Sequence, residues 1–148
     1  MRKLALAALV AVSALAVRAD VAWSTWLENG SARPNLSFGI AAKCASVETF
    51  ELSLLYCGSP VQRGVQFSLL GINDSDKAQV LQLAPWFNRG IDSCVQLGFI
   101  NVAGENVFNL GLVNIADRSK IQLGFLNFNK NGLLPFFPFI NLDRSLFD

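Results

Sequence analysis

Three stretches in the second half of this 148-residue chain are near copies of one another at a constant step of thirteen residues. Val95-Gln96-Leu97-Gly98-Phe99-Ile100-Asn101-Val102-Ala103 is followed by Phe108-Asn109-Leu110-Gly111-Leu112-Val113-Asn114-Ile115-Ala116, and then by Ile121-Gln122-Leu123-Gly124-Phe125-Leu126-Asn127-Phe128-Asn129. So short a period restricts the fold severely, because one unit is too small to bury its own apolar side and must stack on its neighbours. Weaker copies begin at Phe50, Val65 and Leu81, and Pro135 to Asn141 is an atypical last copy with two prolines. That makes seven readable copies, with Asn35 to Ile40 as a degenerate forerunner.

Each copy alternates apolar with polar or small residues over its first five positions, which is the period of a strand and not of a helix. Polar turn segments such as Gly104-Glu105-Asn106 and Asp117-Arg118-Ser119-Lys120 separate the copies. The sequence therefore predicts an all-β chain. In an antiparallel meander the natural repeat is a hairpin of two copies, whereas here single copies match in register together with their turns. This favours a short-period parallel β-solenoid with coils of 13–16 residues. The alternative is a small antiparallel β-barrel of the outer-membrane type, with the Gln and Gly positions lining the lumen and the apolar ones facing lipid. The single tyrosine, Tyr56, the lack of an aromatic girdle and the odd number of copies stand against it.

In the solenoid, Asn88, Asn101, Asn114, Asn127 and Asn141 are expected to form one column whose amides hydrogen-bond along the stack. Gly98, Gly111 and Gly124 are expected to form a small-residue column where successive coils approach closely or the backbone turns. The polar second position of each copy (Glu51, Gln66, Gln96, Asn109, Gln122) is expected to face outward, with Val95, Leu97, Phe99 and their equivalents filling the core. Trp23, Trp26 and Leu27 then belong to an N-terminal cap, and Phe136, Phe137, Phe139 and Phe147 cover the other end. The predicted organisation is a signal peptide over 1–19, a capping segment over 20–49, tandem β repeats over 50–142 and a tail over 143–148. Regular coiling is least secure at Gly71 and between Gln82 and Asn88.

The chain opens with Met1-Arg2-Lys3, an apolar run from Leu4 to Val17, and Val17-Arg18-Ala19 before Asp20. A basic start, a short apolar stretch and small residues before a cleavage point predict export with removal after Ala19. The remaining chain carries nine basic and eleven acidic side chains, which gives no electrostatic footprint for nucleic acid. Its longest apolar run, Leu133 to Ile140, contains Pro135 and Pro138, so no transmembrane helix is expected. Histidine is absent, which removes Ser-His-Asp and Cys-His nucleophiles and His-ligated metals. Cys44, Cys57 and Cys94 have no C-x-x-C spacing and read as buried thiols or as one Cys44–Cys57 bridge. Asn73-Asp74-Ser75-Asp76 lacks the glycine and the bidentate glutamate of a calcium loop and reads as a solvated turn.

Tandem copies of this type, ending in the Pro/Phe-rich stretch Leu134-Pro135-Phe136-Phe137-Pro138-Phe139-Ile140-Asn141, resemble the bacterial surface-repeat-containing protein family over about residues 35–142. The resemblance is strongest from Val95 onward and implies a bacterial exported or cell-surface protein. It implies no enzymatic activity and supplies no catalytic residues. The expected protein thus acts in the periplasm, the outer membrane or at the cell surface, in a structural or interaction role without catalysis or cofactor. It is expected to offer a Gln/Asn-lined face to an envelope or surface partner, the alternative being a small outer-membrane barrel protein.

Overall fold

A computed structural model of the chain describes residues 21–28 and 33–147, so the leader expected at 1–19 lies outside the described residues. Eleven strands follow in order: β1 (Val21–Glu28), β2 (Leu36–Ala42), β3 (Ser46–Val47), β4 (Phe50–Cys57), β5 (Val61–Gln62), β6 (Val65–Ser68), β7 (Ile72–Leu83), β8 (Phe87–Leu97), β9 (Ile100–Leu110), β10 (Val113–Asn129) and β11 (Phe136–Leu142). A 3-10 turn over Arg144–Leu146 closes the described chain.

Coil after coil, the chain returns to pair in parallel with its previous turn. Val21, Leu36, Phe50, Val65, Leu81, Val95, Phe108 and Ile121 are successive partners on one ladder. Tyr56, Ile72, Phe87, Ile100 and Val113 form a second, and Val61, Lys77, Asp92, Glu105 and Arg118 a third. The protein is a parallel β-solenoid of about six turns and not a barrel. The coils tighten along the axis, since Val65 pairs with Leu81, sixteen residues on, but Phe108 pairs with Ile121, thirteen on. The looser coils carry the irregular register between Ala78 and Leu81. Asn73, Asp74, Ser75 and Asp76, read above as a turn, lie within β7.

The ends depart from expectation. In the segment expected as a cap, β1 and β2 are themselves rungs: β1 pairs in parallel with β2, and β2, which holds most of the forerunner Asn35 to Ile40, pairs with β4. Trp23 and Trp26 point outward instead of covering the core, and Trp23 stacks on Phe38 with ring centroids 5.1 Å apart. At the far end the last copy is not a parallel coil, because β11 runs antiparallel to β10. The turn after Asn129 reverses the chain, and Pro135 and Pro138 lack the N–H groups a central strand needs. β11 therefore finishes the stack as an edge strand, with Phe136 packed on Phe128 and Phe139 on Phe125.

The largest correction concerns which side faces in. Glu51, Gln66, Gln96, Asn109 and Gln122 are fully buried, while Phe99, Leu110 and Phe125 are exposed and Val95 and Leu97 are only half covered. The buried apolar residues are small: alanines, Cys44, Cys57 and Val47. Strand parity and volume explain the inversion. A coil of thirteen residues encloses room for Gln96, Gly98, Asn101 and Ala103 but not for Val95, Leu97, Phe99, Ile100 and Val102. Burying amides is costly unless they are hydrogen-bonded, and stacking identical amides supplies those partners.

Candidate interaction surface

Two amide columns fill the interior and hold the outer side chains in place. In the first, Asn73 donates to Asn88 (2.9 Å), Asn88 to Asn101 (2.9 Å), Asn101 to Asn114 (2.8 Å) and Asn114 to Asn127 (2.7 Å). The same Nδ2 atoms also donate to backbone carbonyls, as Asn88 does to Leu97 at 2.7 Å and Asn114 to Leu123 at 2.9 Å. Both amide hydrogens are thereby used, so the chain of bonds is continuous across five rungs. The structure thus brings Asn88, Asn101, Asn114 and Asn127 together and adds Asn73. Asn141 is not in this column; it lies opposite Gln122 on the antiparallel end strand and donates to the Leu134 carbonyl at 3.0 Å. Gly98, Gly111 and Gly124 stack beside the asparagines. A Cβ on Gly111 would sit 2.2 Å from the Gly98 carbonyl oxygen and one on Gly124 2.1 Å from that of Gly111, so only glycine allows this approach.

The second column runs Glu51, Gln66, Gln82, Gln96, Asn109 and Gln122. Gln96 donates to Gln82 (2.7 Å), Gln82 to Gln66 (2.8 Å) and Gln66 to the Glu51 carboxyl (2.9 Å). Ser59 donates to the other carboxyl oxygen at 2.7 Å. Among the described residues no cation faces this carboxyl, and burial raises its pKa to about 7 against the pull of the two hydrogen bonds. The ladder breaks at Asn109, whose side chain is one methylene shorter: Gln96 Oε1 and Asn109 Nδ2 are both buried without a partner. Asn106 fills the space this leaves and donates to Asn109 Oδ1.

With its amides inside, the solenoid carries a divided exterior. Most charges gather on the third side, where ion pairs join rung to rung: Arg63 with Glu48 at 2.7 Å, Arg118 with Glu105 at 3.9 Å, and Lys130 with Asp117. A further pair, Arg89 with Asp74 at 2.6 Å, lies on the second face, level with Val102 and Ile115. The corner across the coil carries no charge. There the residue after each Gly or Pro of the repeat projects outward, and with Leu55 and Leu70, two residues after Ser53 and Ser68, gives a ridge through Leu55, Leu70, Trp86, Phe99, Leu112 and Phe125. Leu70 is 59% exposed, Trp86 59%, Leu112 56% and Phe125 64%. Beside the ridge runs an open groove of about 680 Å³. Ala84, Gly98 and Gly111 form its floor, Leu97 and Leu110 one wall, and Phe99 and Leu112 the other.

Sequence reasoning assigned these apolar residues to the core and so missed the surface they make. The signal was present in the glycines. Gln96 and Gly98 lie two apart on one strand and share a face, so a glycine needed for close approach places the glutamine inside with it. The three cysteines are free, Cys44 and Cys57 buried and Cys94 partly so. Burial drives the Cys57 thiol strongly upward in pKa, with Glu51 adding to the shift. Among the described residues, no three His, Cys, Asp or Glu side chains gather as a metal centre, and no helix is long and apolar enough to cross a membrane.

These features define a class: a parallel β-solenoid with an amide-filled interior and an apolar outer surface. Compared with known proteins, the chain matches no family model, no curated protein and no solved structure.

Proposed function

We propose that the protein is an exported bacterial envelope or surface protein with a structural and interactive role and no catalysis. The observation that carries this reading is the inverted polarity. Soluble monomers rarely expose contiguous apolar patches beyond a few hundred Å², whereas here two sheet faces and the corner between them are apolar from Trp23 to Phe139. Only the Asp74–Arg89 pair, which lies on the second face in register with Val102 and Ile115, interrupts them. Such a surface is made to be covered. The side offered to a partner is therefore the apolar one, and the Gln and Asn residues serve the interior. The basic and apolar leader over 1–19 and the resemblance of the repeats to surface-repeat proteins support the envelope as the setting. Several carboxylates add to the non-catalytic reading: Glu48, Asp74, Glu105 and Asp117 are each paired with a base, and Glu51 is sealed inside.

Expression of the full chain in a Gram-negative bacterium, followed by fractionation and N-terminal sequencing, tests this. The expected product begins at Asp20 and stays with the envelope through a high-salt wash. A product that begins at Met1 and remains in the cytosol overturns the proposal.

A further inference from the structure

Resting on the envelope reading, we infer that what covers the corner is the hydrocarbon of a lipid leaflet, with the solenoid axis lying in the plane of the membrane. Three features point to acyl chains over a protein partner. First, the ridge and groove contain no hydrogen-bonding side chain except the indole N–H of Trp86: from Leu55 to Phe125 the corner presents only Leu, Pro, Trp, Phe and glycine or alanine floor positions. A specific protein interface carries about one hydrogen bond per 100–200 Å² and a polar rim; this corner has neither. Second, the sheet faces add no polar backbone. Their N–H and C=O groups bond to the rungs on either side, as Val113 N–H does to the Phe99 carbonyl at 2.9 Å and Leu126 N–H to that of Leu112 at 2.8 Å. Unpaired backbone is what hydrocarbon excludes most strongly, and here the free strand edges are confined to the two ends of the stack.

Third, apart from the Arg89–Asp74 pair on the second face, the charges lie on the opposite side along the rod, several of them paired rung to rung. This excludes a spanning arrangement with the axis along the membrane normal, since Lys77 and Asp92, in the middle coils of the stack, would then sit at mid-depth. With the axis in the plane, the ridge enters the leaflet and the ion-paired side stays in water, the cross-section acting as an amphipathic helix does. The groove floored by Ala84, Gly98 and Gly111 runs parallel to the axis and has the shape and lining of a seat for an aliphatic chain.

The test uses the full chain with Trp23→Phe and Trp26→Phe, which leaves Trp86 on the ridge as the sole tryptophan. Phosphatidylcholine vesicles whose acyl chains carry bromine quench only a fluorophore immersed among them, a readout that adsorption through the leader cannot produce. The expected result is a blue-shifted Trp86 quenched by bromine. Adding Leu112→Glu and Phe125→Glu, which alter exposed positions only, should abolish the quenching and lower partitioning by about tenfold to a hundredfold per site. Folded protein whose Trp86 stays unquenched beside vesicles overturns the inference. So does a lipid-free oligomer in which Trp86 is shielded, which assigns the ridge to a second copy of the chain. Either outcome leaves the envelope reading standing if fractionation still places the protein there. Should the Glu variant misfold, the depth of quenching in the parent protein still decides.

Discussion

Replacing Glu51 by Gln should remove most of the pH dependence of folding stability near neutrality. In the folded protein the Glu51 carboxyl holds its proton up to about pH 7 because burial disfavours the charge, whereas its ordinary value is 4.5. Between those limits the folded state binds more protons than the unfolded one, so stability falls as pH rises from about 4.5 to about 7 and levels off beyond. A difference of about 2.5 pH units corresponds to about 3 kcal/mol of stability present at pH 4.5 and absent at pH 8. Among the described residues no cation lies against it to reverse the sign; the titratable groups that feel its charge are the Cys44 and Cys57 thiols and the Tyr56 hydroxyl, all raised in pKa chiefly by burial.

The substitution fits the column. A glutamine at 51 still accepts from Gln66, and the Ser59 hydroxyl, which now donates at 2.7 Å, can turn to accept from the new amide. The variant extends the glutamine ladder by one rung and should match the wild type near pH 4.5 while exceeding it by about 3 kcal/mol at pH 8. Urea unfolding followed by far-ultraviolet circular dichroism, at constant ionic strength from pH 4.5 to 8, measures both curves. A wild type with the same midpoint at both extremes, or a Glu51→Gln variant that keeps the wild-type slope, would refute the reasoning.

Two further predictions concern the ladders. Asn109→Gln alone should destabilise the protein because Asn106 occupies the required space, but with Asn106→Ser it restores the pairing of large and small side chains found at Gln96 with Ser93 and Gln122 with Ser119; a double-mutant cycle by urea unfolding should show coupling of about 1–3 kcal/mol in the stabilising direction, and strict additivity would sink the explanation of the broken column. Asn114→Leu deprives Asn127 Oδ1 of its donor and Asn101 Nδ2 of one acceptor and should cost about 3 kcal/mol; an unchanged thermal midpoint would show that the asparagine column contributes nothing.

Much of the architecture was legible because the repeat is a statement about translation. Copies that match in register, turns included, must meet equivalent environments, and the Val95, Phe108 and Ile121 copies are indeed consecutive rungs of one ladder. The two end elements were not legible as copies. β2 contains most of the degenerate forerunner Asn35 to Ile40, but β1 has little sequence likeness to the later coils and still pairs as a rung, since parallel pairing requires only a compatible backbone and small inward residues such as Ser24 and Ser37. The last copy keeps the pattern of apolar residues but reverses direction, because two missing N–H groups matter more to a strand than the matching side chains.

The sidedness failed for a reason that reaches beyond this chain. The rule that apolar residues go inside presumes an interior large enough to hold them, and a coil of thirteen residues has none. Volume then outranks polarity: the inward set must be small or slender, and its polar atoms must find partners within the stack. Translation makes that possible, since an amide directly above an identical amide presents an acceptor to each donor at every rung, as Asn88, Asn101, Asn114 and Asn127 do. Where the copies differ by one methylene, at Asn109, the partners are lost at once. A repeat chain that alternates Gln or Asn with Gly on one strand face and large apolar residues on the other is therefore expected to turn its amides inward whenever the period is this short. The apolar surplus left outside becomes the part of the molecule available for function.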